Sequence, residues 1–132
     1  MKLLVDTHYL LWMFMDTNKL SKTVKAALTS DDNEIYYSQA SLWEIAIKYS
    51  IGKLSLNGIT PEELYHEIQN SFLLCKILDN QDLISSYRLP REHKDPFDRM
   101  IIWQAIMGEL TLLSVDAKMN HYVEYDLKIF KL

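Results

Sequence analysis

Three short apolar runs limit what this chain can fold into. Lys2–Val5, Ile35–Tyr37 and Thr111–Val115 are each too short for a helix able to bury itself, and none shows the polar alternation of a half-exposed strand. Such runs read as strands covered on both faces. Patterns of helical period lie between them. YLLWMFM follows Thr7, which can cap it. Ser21 opens a segment in which Leu20, Val24 and Leu28 fall four apart, and the polar SDDNE of Ser30–Glu34 separates that segment from the second run. Strand, helix, helix, strand is the order that favours a parallel sheet with crossover helices, so the expected class is α/β, a mainly parallel central sheet flanked by helices.

The rest of the chain continues the pattern. QASLWEIAIKYSIGK after Ser38 reads as a helix closed at Gly52. Thr60-Pro61-Glu62-Glu63 is a strong helix start, with Leu64, Ile68 and Phe72 on one face. Cys75–Leu78 is a short strand candidate and Asp82–Tyr87 a short helix. A nearly apolar helix then opens at Asp95-Pro96 and ends at Gly108, and a last strand falls around Leu127–Phe130.

With 132 residues, 48% hydrophobic, the chain has material for one compact domain over 1–132, and no linker-like stretch divides it. A lone Cys75 excludes an intrachain disulfide and a cysteine-built zinc site. The N-terminal apolar run stops at Asp6, too early for a secretory leader, and no segment has the ~20 apolar residues of a membrane span. A cytoplasmic protein is expected. The net charge of −4 argues against a protein that coats nucleic acid, though a nuclease whose acids bind a cation remains compatible with it.

The candidate site rests on where the acids fall. Asp6 and Asp116 each follow a buried strand directly, beyond the carboxyl ends where open α/β sheets bind ligands. Asp98 lies in the first turn of the helix that Asp95 caps ahead of Pro96, where the helix dipole favours a carboxylate. Glu44 has two readings. Ser41-Leu-Trp-Glu44 matches a capping box, which would spend Glu44 on the backbone. If Ser38 caps the helix instead, Glu44 lies in its second turn and faces the same rim as Asp6. Carboxylates ~4 Å apart repel by roughly 4 kcal/mol at an effective dielectric of ~20, so a cluster of these four calls for a cation. An all-oxygen donor set suits Mg²⁺, or Mn²⁺ in its place, and the matching chemistry is hydrolysis of a phosphodiester.

LLVDTH, SLWEIAIKYSIGKL, LPREHKDPFDRMIIWQA and LLSVD, in this order and at these intervals, resemble the PIN domain, specifically the VapC-type toxins of type II toxin–antitoxin pairs. The resemblance runs from Met1 to about Tyr122. It implies a PIN-like three-layer fold and a Mg²⁺-dependent endoribonuclease with an RNA substrate, usually homodimeric and held inactive by a cognate antitoxin protein. Asp6, Glu44, Asp98 and Asp116 match the family's acidic metal-binding positions. Two departures stand out: Ser114 replaces the Thr usual two residues before the last Asp, keeping the hydroxyl, and Trp103 stands where Ala is common, which predicts altered packing.

Other residues are weighed alongside. Arg99 is expected either to hold a scissile phosphate or to brace the carboxylates through a bidentate pair. Lys48, Lys53, Arg91, Lys94 and Lys118 lie in or beside the motif segments and could line an RNA path. His8, His93 and His121 offer a metal-free acid/base alternative, although histidines without a recognisable spacing are more often structural. Tyr9, Trp12 and Phe14 read as core. Two rival functions stay open: a PIN-like scaffold that binds protein without cutting, and a Mg²⁺-dependent phosphotransfer or phosphatase domain with Asp6 as nucleophile.

Overall fold

The central strand is β1 (Lys2–Val5), and in the computed structural model, which describes residues 1–132, the other strands assemble around it. β2 (Glu34–Ser38) pairs with one edge and β4 (Thr111–Leu113) with the other, while β3 (Leu74–Lys76) and β5 (Lys128–Ile129) close the sheet in the order β3-β2-β1-β4-β5. Every pairing is parallel. Leu3 and Val5 project into one core with Leu10, Val24, Ile35, Tyr37 and Ile68; Leu4 projects into the other, with Ile101, Ile102, Leu112 and Tyr122. A strand whose successive residues enter two cores must be apolar throughout, and this accounts for the unbroken apolar run.

Six α-helices cover the sheet: α1 (Thr7–Met15), α2 (Lys22–Thr29), α3 (Gln39–Ser50), α4 (Pro61–Gln69), α5 (Asn80–Ser85) and α6 (Pro96–Met107). Their starts follow the chemistry of the sequence. Ser21 accepts from the N–H of Val24, and Thr60 and Glu63 form a reciprocal capping box behind Pro61. Gly52, at φ +74°, supplies the left-handed turn just after α3, and Gly108 caps α6. The cap of α1 is not Thr7 as expected but Asp6; Thr7 is the first helical residue, which frees its hydroxyl for other partners.

β1 ends at Val5 as read and β2 extends to Ser38, but the later strands are shorter than read. β4 stops at Leu113 because the N–H of Val115 turns away to the Asp6 carboxylate at 3.2 Å. β3 and β5 are likewise shorter than their apolar stretches. A long 3₁₀ segment, Ala117–Tyr125, has no counterpart in the sequence reading. The indole N–H of Trp103 donates to Ser85 Oγ at 3.0 Å and ties α6 to α5.

Register determines what reaches the rim. Val5 is level with Tyr37 on one side and Leu113 on the other, so Asp6, Ser38 and Ser114 stand side by side at the carboxyl ends. Strand order reverses between β1 and β4: β2 and β3 build outward on one side of β1, β4 and β5 on the other. A crevice opens at such a switch point, and Asp6 and Asp116 border it.

Candidate active site

Asp6 is nearly fully buried, at 2% exposure. Its Oδ1 accepts the N–H of Tyr9 at 2.9 Å, and its Oδ2 accepts the N–H of Val115 at 3.2 Å, so one carboxylate joins the start of α1 to the chain leaving β4. Burial pushes its pKa up against the opposing pull of these N–H groups, the Ser114 hydroxyl and nearby His8.

Glu44 is resolved in favour of the rim. Ser38 caps α3, its Oγ accepting from the N–H of Ala40, so the Ser41 capping box does not form. Glu44 lies in the second turn, buried, and accepts the Thr7 hydroxyl at 2.6 Å and the Lys48 ammonium one helical turn on. Ser41 meets that same Thr7 hydroxyl at 2.8 Å. Thr7 and Ser41 therefore work as a pair that fixes Glu44. The hydrogen bond to Glu44 raises the pKa of Lys48 and keeps that side chain charged.

Asp95 caps α6, its Oδ1 accepting the N–H groups of Phe97 and Asp98 at 2.9 and 3.0 Å. Asp98 follows in the first turn with its own carboxylate free of the backbone. Its pKa is raised to about 6, first by burial and then by the charge of Asp95, with Glu44 and Asp6 adding to the effect and His93 opposing it. Asp98 thus responds to the charges of Asp6 and Glu44.

Asp116 caps the 3₁₀ segment through Oδ1, which accepts the N–H of Lys118 at 2.9 Å, while its own N–H reaches Ser114 Oγ at 3.1 Å. Partial burial acts to raise its pKa, but the Lys118 N–H and a hydrogen bond from His93 prevail and hold it below the ordinary value.

His93 is the residue that the sequence reading undervalued. Its ring is buried, with Nε2 at 2.9 Å from Asp116 Oδ2 and 3.2 Å from Asp98 Oδ2. The N–H of Asp95 donates to Nδ1 at 3.2 Å, so the ring proton resides on Nε2 and points between the two carboxylates. Tyr122 holds the same residue from behind, accepting the His93 N–H at 2.7 Å and donating to the Pro90 carbonyl at 2.7 Å. The signal was its place two residues before a helix cap. The histidines do not form a set: His8 is exposed, and the exposed His121 meets Glu92 at 3.6 Å.

Arg99 corrects an expectation. It forms no bidentate pair with a carboxylate; its guanidinium donates instead to the carbonyls of Leu89, Pro90 and His93 at 2.9 to 3.1 Å, bracing the loop that carries His93. Tyr9 is buried and Trp12 and Phe14 pack against the core, as read.

Ligand atoms of His93, Asp98 and Asp116 all lie within 4.8 Å of one another. Asp6 and Glu44 border this group without being part of it. The donor chemistry fits a hard divalent cation, since carboxylate oxygens predominate and the raised Asp98 marks negative charge that a cation would offset. With its proton on Nε2, His93 serves this group as a hydrogen-bond donor.

A parallel sheet with Asp6 and Glu44 buried, and Asp98 and Asp116 half-buried, near its carboxyl ends is a carboxylate-bearing α/β domain. The PIN domain family model matches residues 3–124, and the chain belongs to that family. Among solved structures it is similar to a chain of VapBC2 from Rickettsia felis bound to a DNA fragment from their promoter, with 18% identity, TM-score 0.71 and 98% of each chain covered. VapBC-1 from nontypeable Haemophilus influenzae gives 14% identity and TM-score 0.66, covering 99% of this chain and 98% of the other. FitAcB from Neisseria gonorrhoeae gives 17% identity and TM-score 0.66, covering 98% and 96%. At these identities the likeness concerns the fold. No curated protein matches the sequence.

Proposed function

We propose that the chain, as a single PIN domain, is a Mg²⁺-dependent endoribonuclease, the toxin of a type II toxin–antitoxin pair, acting in the cytoplasm. One observation supports the reading: Asp98 and Asp116 lie in one cluster with His93, and the charges of Asp6 and Glu44 are among the causes that raise the pKa of Asp98. A bound Mg²⁺ or Mn²⁺ would supply the positive charge that draws a phosphodiester to this rim and makes a water acidic enough to attack it. Asp6, Asp98 and Asp116 would hold the ion, with Glu44 completing the set.

The chain's own groups prepare that role. Thr7 and Lys48 fix Glu44 in one orientation, and two backbone N–H groups fix Asp6. His93 keeps Asp98 and Asp116 from separating by donating between them. Asp95 and Ser114 act one step away, through the α6 cap and through the hydroxyl that reaches Asp6 and the Asp116 N–H. The partner reading, a cognate antitoxin covering the rim and a homodimer, draws on the likeness to VapBC and FitAcB chains.

The test is cleavage of labelled RNA with Mg²⁺, with Mn²⁺ and with chelator, for wild type and Asp6→Asn. Cutting is expected only with metal and only in wild type. Undiminished cutting by the metal-free protein would refute the proposal, and growth arrest relieved by co-expression of the neighbouring reading frame would separate toxin from nuclease in general.

A further inference from the structure

The loop that carries His93 borders a cleft of about 230 Å³ lined by Ser86, Arg91, Lys94, Pro96, Arg99 and Met100. Its charged lining is entirely cationic, in a chain whose net charge is −4. Those charges are uncompensated. The ion pairs of the molecule are Lys48–Glu44, His93 with Asp98 and Asp116, and His121–Glu92, so Arg91, Lys94 and Arg99 have no acidic partner. Glu92, the acid between Arg91 and His93 in the chain, meets His121 instead. Arg99 is held by three carbonyls, which take three of its five donors without cancelling its charge. Arg91 and Lys94 are exposed and have no hydrogen-bond partner within the protein.

The cleft also adjoins the acids. Pro96 and Arg99 belong to the same first turn of α6 as Asp98, and consecutive helical residues point ~100° apart, so Asp98 faces the rim while Arg99 backs the cleft. Three like charges gathered without counter-charge around one hollow give it a local positive field that attracts an anion. We propose that this cleft is a phosphate subsite: Arg91 and Lys94, with Arg99 behind them, hold a backbone phosphodiester of the RNA next to the one presented to the carboxylates. The proposal rests on the ribonuclease reading and extends it. It makes the preferred substrate a strand that reaches beyond the scissile linkage on the α6 side, and gives a protein of acidic balance a local means of binding RNA.

The test uses the full chain and a fluorescent single-stranded RNA, with affinity measured against salt in chelator and steady-state cleavage measured in Mg²⁺. For Arg91→Ala/Lys94→Ala the slope of log K against log salt should shrink by about 1, affinity should fall by roughly tenfold at low salt, and KM should rise while kcat holds. Arg91→Lys/Lys94→Arg, which retains both charges, should restore binding, and Lys22→Ala/Lys25→Ala, removing the same charge from exposed α2, should change nothing. If the wild type cuts RNA and the Arg91/Lys94 variant matches it in slope and KM, the subsite is refuted while the nuclease stands. An equal loss in the α2 variant also refutes it, since bulk charge would then suffice. If wild type neither binds nor cuts RNA, both readings fail together; binding of an acidic peptide at the cleft in that case would assign it to a protein partner.

Discussion

Replacing Asp98 by Asn should make the metal-free protein more stable at neutral pH, although it removes an acid from the site. Burial and the charges of Asp95, Glu44 and Asp6 raise Asp98 from 3.8 to about 6. An acid whose pKa is higher folded than unfolded binds more protons in the folded state across that interval. Its contribution to stability is whole below 3.8 and is lost as pH climbs through about 6. At ~1.4 kcal/mol per pH unit the loss has an upper bound of about 3 kcal/mol. The side chain is 21% exposed, so solvent screening reduces this to about 2 kcal/mol. Asn also forfeits about 0.5 kcal/mol of favourable charge at the start of α6, leaving a net gain of about 1–2 kcal/mol. Asn can still accept the His93 proton, so the geometry survives.

The assay is thermal unfolding in chelator from pH 4.5 to 7.5. Wild type should lose stability over this range, whereas Asp98→Asn should be flatter and melt roughly 3–8 °C higher at pH 7. Asp6, raised in the same sense, leaves part of the slope in place. Asp116, held low, loses its contribution only as pH falls below 3.8, outside the range. Added Mg²⁺ should reverse the order, because it stabilises only a protein that binds it. A variant that melts lower in chelator at pH 7, or that keeps the full wild-type slope, would refute the electrostatic account of this cluster.

Glu44→Gln should fold normally, because Ser38 and not Glu44 caps α3, yet should lose cutting at least ~100-fold; near wild-type turnover would remove Glu44 from the site. Arg99→Ala should cost about 2–3 kcal/mol by leaving the Leu89, Pro90 and His93 carbonyls without their charged donor, lowering Tm by roughly 6–12 °C, and Lys at this position should rescue little because it lacks the fork. Cleavage should leave 5′-phosphate and 3′-hydroxyl ends and should proceed on a substrate with a single 2′-deoxy sugar at the cut; cyclic phosphate ends would transfer the chemistry from the carboxylates to a histidine.

The sheet was legible because each strand is buried on both faces and must be apolar throughout, a pattern that survives in one sequence. The convergence of Asp6, Asp98 and Asp116 followed from it, since strand ends and helix starts share a rim. Less legible was anything determined by tertiary hydrogen bonds. β4 ends early because of Asp6, a residue more than a hundred positions away, and Arg99 spends its donors on a loop whose path the sequence does not encode locally. His93 was weighed only as one of three histidines for the same reason: its partners are Asp116 and Tyr122, and only the fold brings them to it. Glu44 was undecidable because both Ser38 and Ser41 are competent caps, and Thr7 is what decides between them. By claiming Ser41 and Glu44 together, its hydroxyl leaves Ser38 to cap the helix.

The opposition between an acid that caps a helix and an acid that faces the rim, natural when the sequence is read alone, dissolves in the structure. Asp116 gives Oδ1 to the N–H of Lys118 and turns Oδ2 toward His93 and Asp98. Asp6 likewise divides its oxygens, one to the start of α1 and one to the chain leaving β4. A carboxylate has two oxygens, and a helix start needs only one. Capping therefore fixes the orientation of the group at no cost to its second oxygen, and it supplies N–H donors that help keep a buried acid ionised. Asp98 has no such donor on its own carboxylate, because Asp95 has taken the cap, and it is raised to about 6; Asp6 is raised by burial in spite of its two donors. The acids are thus held in three ways: Asp6 and Asp116 by backbone N–H groups, Glu44 by the side chains of Thr7 and Lys48, and Asp98 by His93 alone, in the field of its neighbours.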